Sequence, residues 1–239
     1  MLFYKPVVKI PKHLAIILDG NGRWALNNNM SRSLGHKKGA EVVKDIIDYA
    51  FNKGVVVLSL YCFSTENWKR NAEEVAFLMK LPIQYFTDYE DSLIKNDIKV
   101  IISGEMSSLP LATKLSFEKI ILKTKHCQKR TLNICFNYGF VDEIIKATKQ
   151  ISKKVLNNEL CIESIDKKTI DDHLYSKGLP DIDLLIRTSN EKRLSNFMLL
   201  QAAYAELYFT KTLWPAFTKK DLDKAFIEYS KRNRKFGGT

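Results

Sequence analysis

The chain has 239 residues, 45% of them hydrophobic, with ten glycines and six prolines, which excludes a disordered or collagen-like chain and leaves room for one large domain or two small ones. Lys and Arg outnumber Asp and Glu by 38 to 27, a net charge of +11. Such a surface suits nucleic acid, an anionic membrane or a phosphorylated small substrate, and by itself chooses none of them. No apolar run approaches the ~18 residues that a membrane-spanning helix needs, and residues 1–12 read as a short arm rather than a secretion signal. Cys62, Cys127, Cys135 and Cys161 form no CxxC pair; they point to a reducing compartment and give no metal site.

In chain order, Leu14–Leu18 is a continuous apolar run ending at Asp-Gly, the pattern of a strand buried on both faces. A glycine-rich turn follows over 19–24. Val42, Val43, Ile46, Ile47, Ala50 and Phe51 repeat with helical period and predict a helix over 40–51, stopped at Gly54. Val55–Phe63 is a second strand. Residues 73–92 read as a long helical stretch, within which Pro82 predicts a kink or a break. Ile98–Ile102, Leu132–Phe136 and Ile182–Ile186 are further strands, with helices around 111–124 and 141–157 between them. Leu207–Phe209 is a short last strand, and 219–239 holds a charged terminal helix, over 219–234, and a tail. Nothing resembling a linker or an internal repeat divides the chain. The alternation predicts one α/β domain over 1–239, a mostly parallel six-stranded sheet flanked by helices.

Such sheets bind ligands beyond the carboxyl ends of their strands, and polar residues gather there. After the first strand come Asp19, Gly20, Asn21, Gly22, Arg23 and Trp24. Two glycines allow close backbone approach to an anion, Arg23 can grip a phosphate, and Asp19 can share Mg²⁺ with substrate oxygens. An ordinary Asp-Gly turn beside a solvated arginine uses the same residues. The spacing matches neither a dinucleotide nor a P-loop fingerprint. Arg32 and His36 precede the next helix, where an anion would be favoured. Ser64, Thr65, Glu66, Asn67, Trp68 and Arg70 follow the second strand, and Arg187, Arg193, Leu194 and Ser195 follow the fifth as a candidate diphosphate clamp. Glu206 is an isolated carboxylate in an apolar run, either paired in the core or part of a metal site. Two anion clamps beside large apolar residues of the 73–92 helix suit a substrate with an ionic head and a hydrocarbon tail lying in a tunnel between sheet and helices.

These residues resemble the cis-prenyltransferases, particularly the bacterial undecaprenyl diphosphate synthases. The runs that carry the resemblance are HLAIILDGNGRWA (13–25), GHKKGA (35–40), LSLYCFSTENWKR (58–70), LNICFNYG (132–139) and DLLIRTSNEKRLSNFMLLQAAYAELYF (183–209), supported by WP (214–215) and KFGG (235–238). The resemblance implies a Mg²⁺-dependent homodimer that adds isopentenyl diphosphate to an allylic diphosphate, usually farnesyl diphosphate, with cis double bonds. It implies Asp19 as the catalytic aspartate and Mg²⁺ ligand, Glu206 as a second ligand, and Asn67 in proton removal. Gly20, Asn21, Gly22, Arg23, Trp24, Arg32 and His36 correspond to the allylic diphosphate site. Ser64, Thr65, Glu66, Trp68 and Arg70 correspond to the segment shaping both sites, and Arg187, Arg193, Leu194 and Ser195 to the isopentenyl diphosphate clamp.

The chain departs from the family pattern in places. NYGGR becomes Asn137-Tyr138-Gly139-Phe140-Val141, RTSGE becomes Arg187-Thr188-Ser189-Asn190-Glu191, and Arg130 stands near the tunnel floor where relatives carry an apolar residue. Asparagine tolerates a left-handed backbone, so the second change is expected to be mild. A non-catalytic partner subunit would show erosion of Asp19, Arg23 or the 187–195 clamp, and these are intact. No nucleic-acid recognition motif is present, so no nucleic-acid partner is expected. Location is expected to be cytoplasmic, with transient association at the inner face of the membrane when a long apolar product leaves.

Overall fold

The computed structural model describes residues 8–235. Six strands form one sheet in the order β3-β4-β2-β1-β5-β6, with every neighbouring pair parallel. They are β1 (His13–Ile17), β2 (Val57–Ser64), β3 (Ile98–Ser103), β4 (Arg130–Tyr138), β5 (Leu184–Arg187) and β6 (Glu206–Phe209). Both faces of β1 are buried, as a strand under helices on two sides requires. The helices are α1 (Asn21–Asn27), α2 (Arg32–Lys53), α3 (Ala72–Lys95), α4 (Leu111–Thr124), α5 (Phe140–Leu156), α6 (Lys167–Asp171) and α7 (Lys219–Lys231). The expected single α/β domain architecture with six strands is what the chain forms. The proposed tail from residue 236 onward, and the first seven residues of the arm, lie outside the described residues.

Three local expectations are corrected. The 19–24 turn is short, because Asn21–Asn27 winds into a helix behind Gly20, whose φ is 110°. Glycine and asparagine are weak helix formers, so packing holds α1. A Cβ on Gly35 would sit 2.2 Å from the Asn21 carbonyl oxygen, and one on Gly39 would sit 2.0 Å from Asn21 Oδ1. Gly35 and Gly39, one turn apart on α2, therefore let α1 lie directly against it.

The second correction concerns α2, which begins at Arg32 under a Ser31 cap rather than near residue 40. Its first two turns are polar and hide from an apolar-periodicity reading, but they carry Arg32 and His36. The third concerns Pro82: of the kink or break it predicts, the break does not occur, and one helix runs through it. The missing N–H leaves the Leu78 carbonyl without its usual partner, and Pro82 itself lines a cavity.

The core lies mainly between the sheet and α2, α3, α4 and α7, with Leu14, Ile47, Leu60, Phe117 and Phe226 among its buried members. A second cluster on the other face includes Ala15, Tyr61, Tyr138, Leu185 and Phe197. Helices α2 and α3 flank the first face, and the space between them opens toward the carboxyl ends of the strands.

Candidate active site

Ile17 and Arg187 are register partners on β1 and β5, so the chain leaves both strands at the same edge of the sheet. Arg187 is nearly fully buried. Its Nη2 donates to Asp19 Oδ2 at 2.8 Å, and its Nη1 to Ser195 Oγ at 2.6 Å and the Arg193 carbonyl at 2.5 Å. Arg23, one turn into α1, donates through Nη2 to Asp19 Oδ1 at 3.1 Å and Ser189 Oγ at 2.5 Å, and through Nη1 to Glu191 at 3.0 Å. The Asp19 carbonyl accepts from Thr188 Oγ1 at 2.6 Å and the Trp214 N–H at 2.9 Å. Partial burial opposes the Asp19 charge, but the hydrogen bond and charge of Arg187, then those of Arg23, outweigh it and hold its pKa below the usual carboxylate range. Asp19 is therefore ionised at neutral pH.

The loop after β5 is strained. Ser189, Asn190, Ser195, Asn196 and Met198 all have positive φ, and such strain is retained where surrounding contacts over-determine the backbone. Asn190 has φ of 62°, the left-handed conformation expected of an asparagine standing in for glycine. Phe140, in place of the second glycine of NYGGR, has no positive φ and needs no such accommodation. Arg193 is largely solvent-facing and donates to Glu191 Oε2 at 2.5 Å. Glu191 thus bridges Arg23 and Arg193, a role that residue type alone gave no means of assigning.

A second cluster centres on Glu74, which the sequence reading missed. Its side chain is 5% exposed, and it meets His36 Nε2 at 3.0 Å, Arg70 Nη1 at 2.8 Å and Arg32 Nη1 at 3.8 Å. The Glu74 N–H is capped by Asn71 Oδ1 at 2.7 Å. Burial disfavours the Glu74 charge, yet the His36 hydrogen bond and the Arg70 charge prevail and lower its pKa. Burial pushes the His36 pKa down; the Glu74 bond resists this, and the Arg70 and Arg32 charges add to it. Arg32 and His36 from α2 and Arg70 from the end of the 65–69 turn converge on one carboxylate. The signal was present as an Arg70–Glu74 spacing of four on a helix start, but acids at a helix N-terminus are ordinary.

Residues Thr65–Lys69 form a 3₁₀ turn after β2. Asn67 Oδ1 accepts the Ser64 N–H at 3.1 Å, Glu66 accepts from Asn196 at 3.0 Å, Thr65 donates to Asp142 at 2.9 Å and Trp68 Nε1 donates to Asn137 at 2.8 Å. In this conformation Asn67 faces the cavity while its oxygen holds the turn. Thr65 and Trp68 face a separate groove beside α5.

The cavity between the sheet, α2 and α3 has a volume of about 360 Å³. Its mouth carries Asp19, Asn21, His36, Ser64, Asn67, Arg70, Arg187, Arg193 and Ser195; its interior is apolar, walled by Val43, Leu78, Pro82, Phe86 and Phe136 among others. Gly20, Gly22, Arg23, Trp24, Arg32, Glu66 and Leu194 do not line the cavity. Charged clamps at the mouth of a greasy chamber accept an amphiphile by its head.

The prenyltransferase family model for undecaprenyl diphosphate synthase matches residues 17–237. The chain belongs to this family. It is 50% identical over 229 residues to an isoprenyl transferase of Listeria innocua, covering 96% of this chain and 91% of that one. An isoprenyl transferase of Enterococcus faecalis is 47% identical over 234 residues, covering 96% and 86%. Among solved structures, lavandulyl diphosphate synthase from Lavandula x intermedia, in complex with dimethylallyl diphosphate, matches with TM-score 0.92 and 32% identity over 95% of this chain and 98% of that one. A probable undecaprenyl diphosphate synthase from Campylobacter jejuni matches with TM-score 0.78 and 32% identity over 96% and 99%. The protein is thus a prenyltransferase, joining isopentenyl diphosphate to an allylic diphosphate.

The prenyltransferase fold does not bring Glu206 to Asp19 within one chain. Glu206 pairs with Leu184 at the start of β5, about 10 Å back along the strands from Arg187, and it accepts from Arg232 Nη1 at 2.8 Å. No group of three or more His, Cys, Asp and Glu fit to hold a metal occurs among the described residues. Asp19 alone fits Mg²⁺, which commonly binds through one carboxylate together with substrate phosphates and water. Its carboxylate is ionised and partly open at the cavity mouth. No helix of the described residues is long and apolar enough to cross a membrane.

Proposed function

We propose that this prenyltransferase extends farnesyl diphosphate by successive cis additions of isopentenyl diphosphate to a long-chain product, undecaprenyl diphosphate. The observation that carries this reading is the Asp19–Arg187–Arg23 group at the mouth of an apolar cavity. In this reading the allylic diphosphate lies near His36, Arg32 and Arg70, with its tail in the cavity. Isopentenyl diphosphate is held by Arg187, Arg193 and Ser195, with Leu194 and the 64–70 turn closing over both, and Gly20, Asn21, Gly22 and Trp24 shape the floor under the heads. Asp19 would hold Mg²⁺, which when bound would supply positive charge to the departing diphosphate.

The allylic C–O bond breaks, its electron pair leaves with the diphosphate, the isopentenyl double bond attacks the allylic carbon, and one proton is lost. Arg23 and Arg70 stabilise charge building on the leaving group. The apolar walls keep water from the allylic cation. The departed diphosphate takes the proton, and Asn67, once the 3₁₀ turn lets go of its Oδ1, orients that removal. The protein acts as a cytoplasmic homodimer, and Glu206, held by Arg232 in this structure, would be the second carboxylate offered to the metal. Its basic surface meets an anionic membrane transiently as product leaves, because each exposed CH₂ costs about 0.8 kcal/mol in water. No nucleic acid is bound.

The test is incubation with farnesyl diphosphate, labelled isopentenyl diphosphate and Mg²⁺, followed by sizing and carbon-13 analysis of the product. Undecaprenyl chains with cis new double bonds support the reading. A product of one or two additions, or trans units, would refute it.

A further inference from the structure

Helix α4 has two unlike faces. At about 100° per residue, Thr113, Phe117, Ile120 and Thr124 fall on one side, and all four are buried. Leu111, Leu115 and Leu122 fall within about 40° of one another on the opposite side. They are 70%, 53% and 61% exposed. A single exposed leucine is ordinary, but an aligned set on one helix marks a surface that meets something apolar.

The charges beside this stripe say what it meets. By the same helical spacing, Lys114 and Lys125 flank it on one side and Lys119 and Lys123 on the other. Lys119 and Lys123 reach back to Glu90 of α3 at 3.2 and 2.5 Å, and Lys114 lies 3.8 Å from Glu118, the acid within the stripe. Lys125 and Lys129 are exposed and make no ion pair among the described residues. Residues 111–130 hold six Lys or Arg against one acid, so this segment keeps a strong positive charge after its pairs are counted. Leucines between two rows of lysines suit a helix lying in a membrane interface, apolar side chains among the acyl chains and ammonium groups at anionic headgroups. A second copy of the chain is a poorer occupant, because a two-fold contact sets the same patch against itself and brings the lysine rows face to face.

The buried side of α4 backs the cavity. Phe117 packs edge-on against Phe86 and Phe136, at 5.9 and 5.2 Å between centroids, and both of those rings line the cavity. Thr113 Oγ1 donates to the Met79 carbonyl of α3 at 2.8 Å. Thr124 Oγ1 accepts the Val100 N–H of β3, the edge strand, at 3.0 Å.

We propose that the outer face of α4, Leu111, Leu115 and Leu122 between their flanking lysines, docks on an anionic lipid surface. This rests on the reading above that product is handed to a membrane, and it names the face that does so. Docked there, the bilayer is separated from the cavity by α4 and the Phe86 and Phe136 rings.

The experiment uses the full chain with vesicles of phosphatidylglycerol and phosphatidylcholine in equal parts, or of phosphatidylcholine alone, and reads the protein that sediments with lipid. Wild type should bind the anionic vesicles better, and less well as salt is raised. Leu115→Asp and Leu122→Asp together should weaken that binding at least about tenfold, since two apolar side chains lose their burial. Lys125→Gln should weaken it about fivefold. Leu156→Asp, at an 80% exposed leucine of α5, is the control and should bind as wild type does. Melting temperatures and the rate of the first addition should stay at wild-type values, since none of these residues lines the cavity. Wild-type binding by the α4 double variant, or equal weakening by Leu156→Asp, would overturn the assignment to α4. A smaller oligomer for the double variant without lipid would make the face a subunit contact and overturn it too. A wild type that binds neither vesicle would overturn the membrane reading and this proposal with it, while chain elongation is measured separately without lipid.

Discussion

Asp19 and Arg187 stand 168 positions apart and meet at 2.8 Å, because parallel pairing places Ile17 opposite Arg187 and turns both chains out at the same edge. The pair is a structural contact as well as the centre of the proposed catalytic group. Arg187 is buried, and Asp19 is the only carboxylate it touches among the described residues.

Replacing Asp19 therefore has two effects. Asp19→Ala should lower turnover by at least about a hundredfold, the scale of losing a preorganised charge at a reacting centre. It should also reduce stability by about 1–3 kcal/mol, because Arg187 is left buried without its anion. Inorganic pyrophosphate should restore part of that stability by supplying a replacement anion. Urea titrations with and without pyrophosphate measure it; a variant as stable as wild type in both would show that the pair carries no structural weight.

The two clamp arginines should separate in the same way. Arg193 faces solvent and bonds Glu191, so Arg193→Ala should leave the melting temperature nearly unchanged. It should raise the KM for isopentenyl diphosphate by roughly tenfold or more, the cost of a charge-assisted bond. Arg187→Ala should show the same substrate preference together with a clear loss of stability. Equal effects on both substrates from Arg193→Ala would refute the division of the two sites.

Much of this was legible because strand runs and strand-end motifs are local. LAIIL followed by DGNGR, and IDLLI followed by RTSNEKR, announce buried strands that deliver charge to one edge. What stayed hidden depends on contacts between distant segments. Glu74 looks like any acid at a helix start until His36 and Arg32 are brought over it. The α1 helix is invisible because Asn21 and Gly22 disfavour it locally, and only Gly35 and Gly39 make room for it. Of the kink or break that Pro82 predicted, α3 does not make the break. Glu206 reads as an acid either paired in the core or part of a metal site, and only the fold shows that its partner is Arg232.

The Glu74 cluster yields a prediction about the primer. Glu74→Gln keeps the shape of the side chain but removes the charge that orders His36, Arg70 and Arg32. The KM for the allylic diphosphate should rise by roughly tenfold, since charge-assisted bonds are lost, while the KM for isopentenyl diphosphate moves little. Glu74→Asp, which keeps the charge, should recover part of the effect. A purely structural role would lower the melting temperature and leave the ratio of the two KM values unchanged.

The last prediction concerns acid stability and rests on His13. Its ring is fully buried; Nδ1 lies 2.7 Å from the Pro180 carbonyl and Nε2 lies 2.8 Å from Ser59 Oγ. A carbonyl only accepts, so Nδ1 carries the proton and Nε2 accepts from Ser59 in the neutral ring. Ser59 Oγ in turn accepts from Asn133 Nδ2 at 3.0 Å. Protonating Nε2 would reverse the Ser59 hydroxyl inside the sheet. Burial pushes the His13 pKa down from 6.5 to about 4, against the Pro180 bond and the Asp183 and Asp181 charges, which raise it. Between these two values the unfolded chain binds the proton and the folded chain does not, so stability falls as pH drops through the window and is fully present above about 6.5. The contribution reaches up to about 3 kcal/mol. Denaturant melts from pH 7 to pH 4 should show this slope, steepened by the lowered pKa of His36, and His13→Gln should flatten it. A slope that is the same with and without His13 would place the acid sensitivity elsewhere, and His36→Gln would then be the variant that removes it.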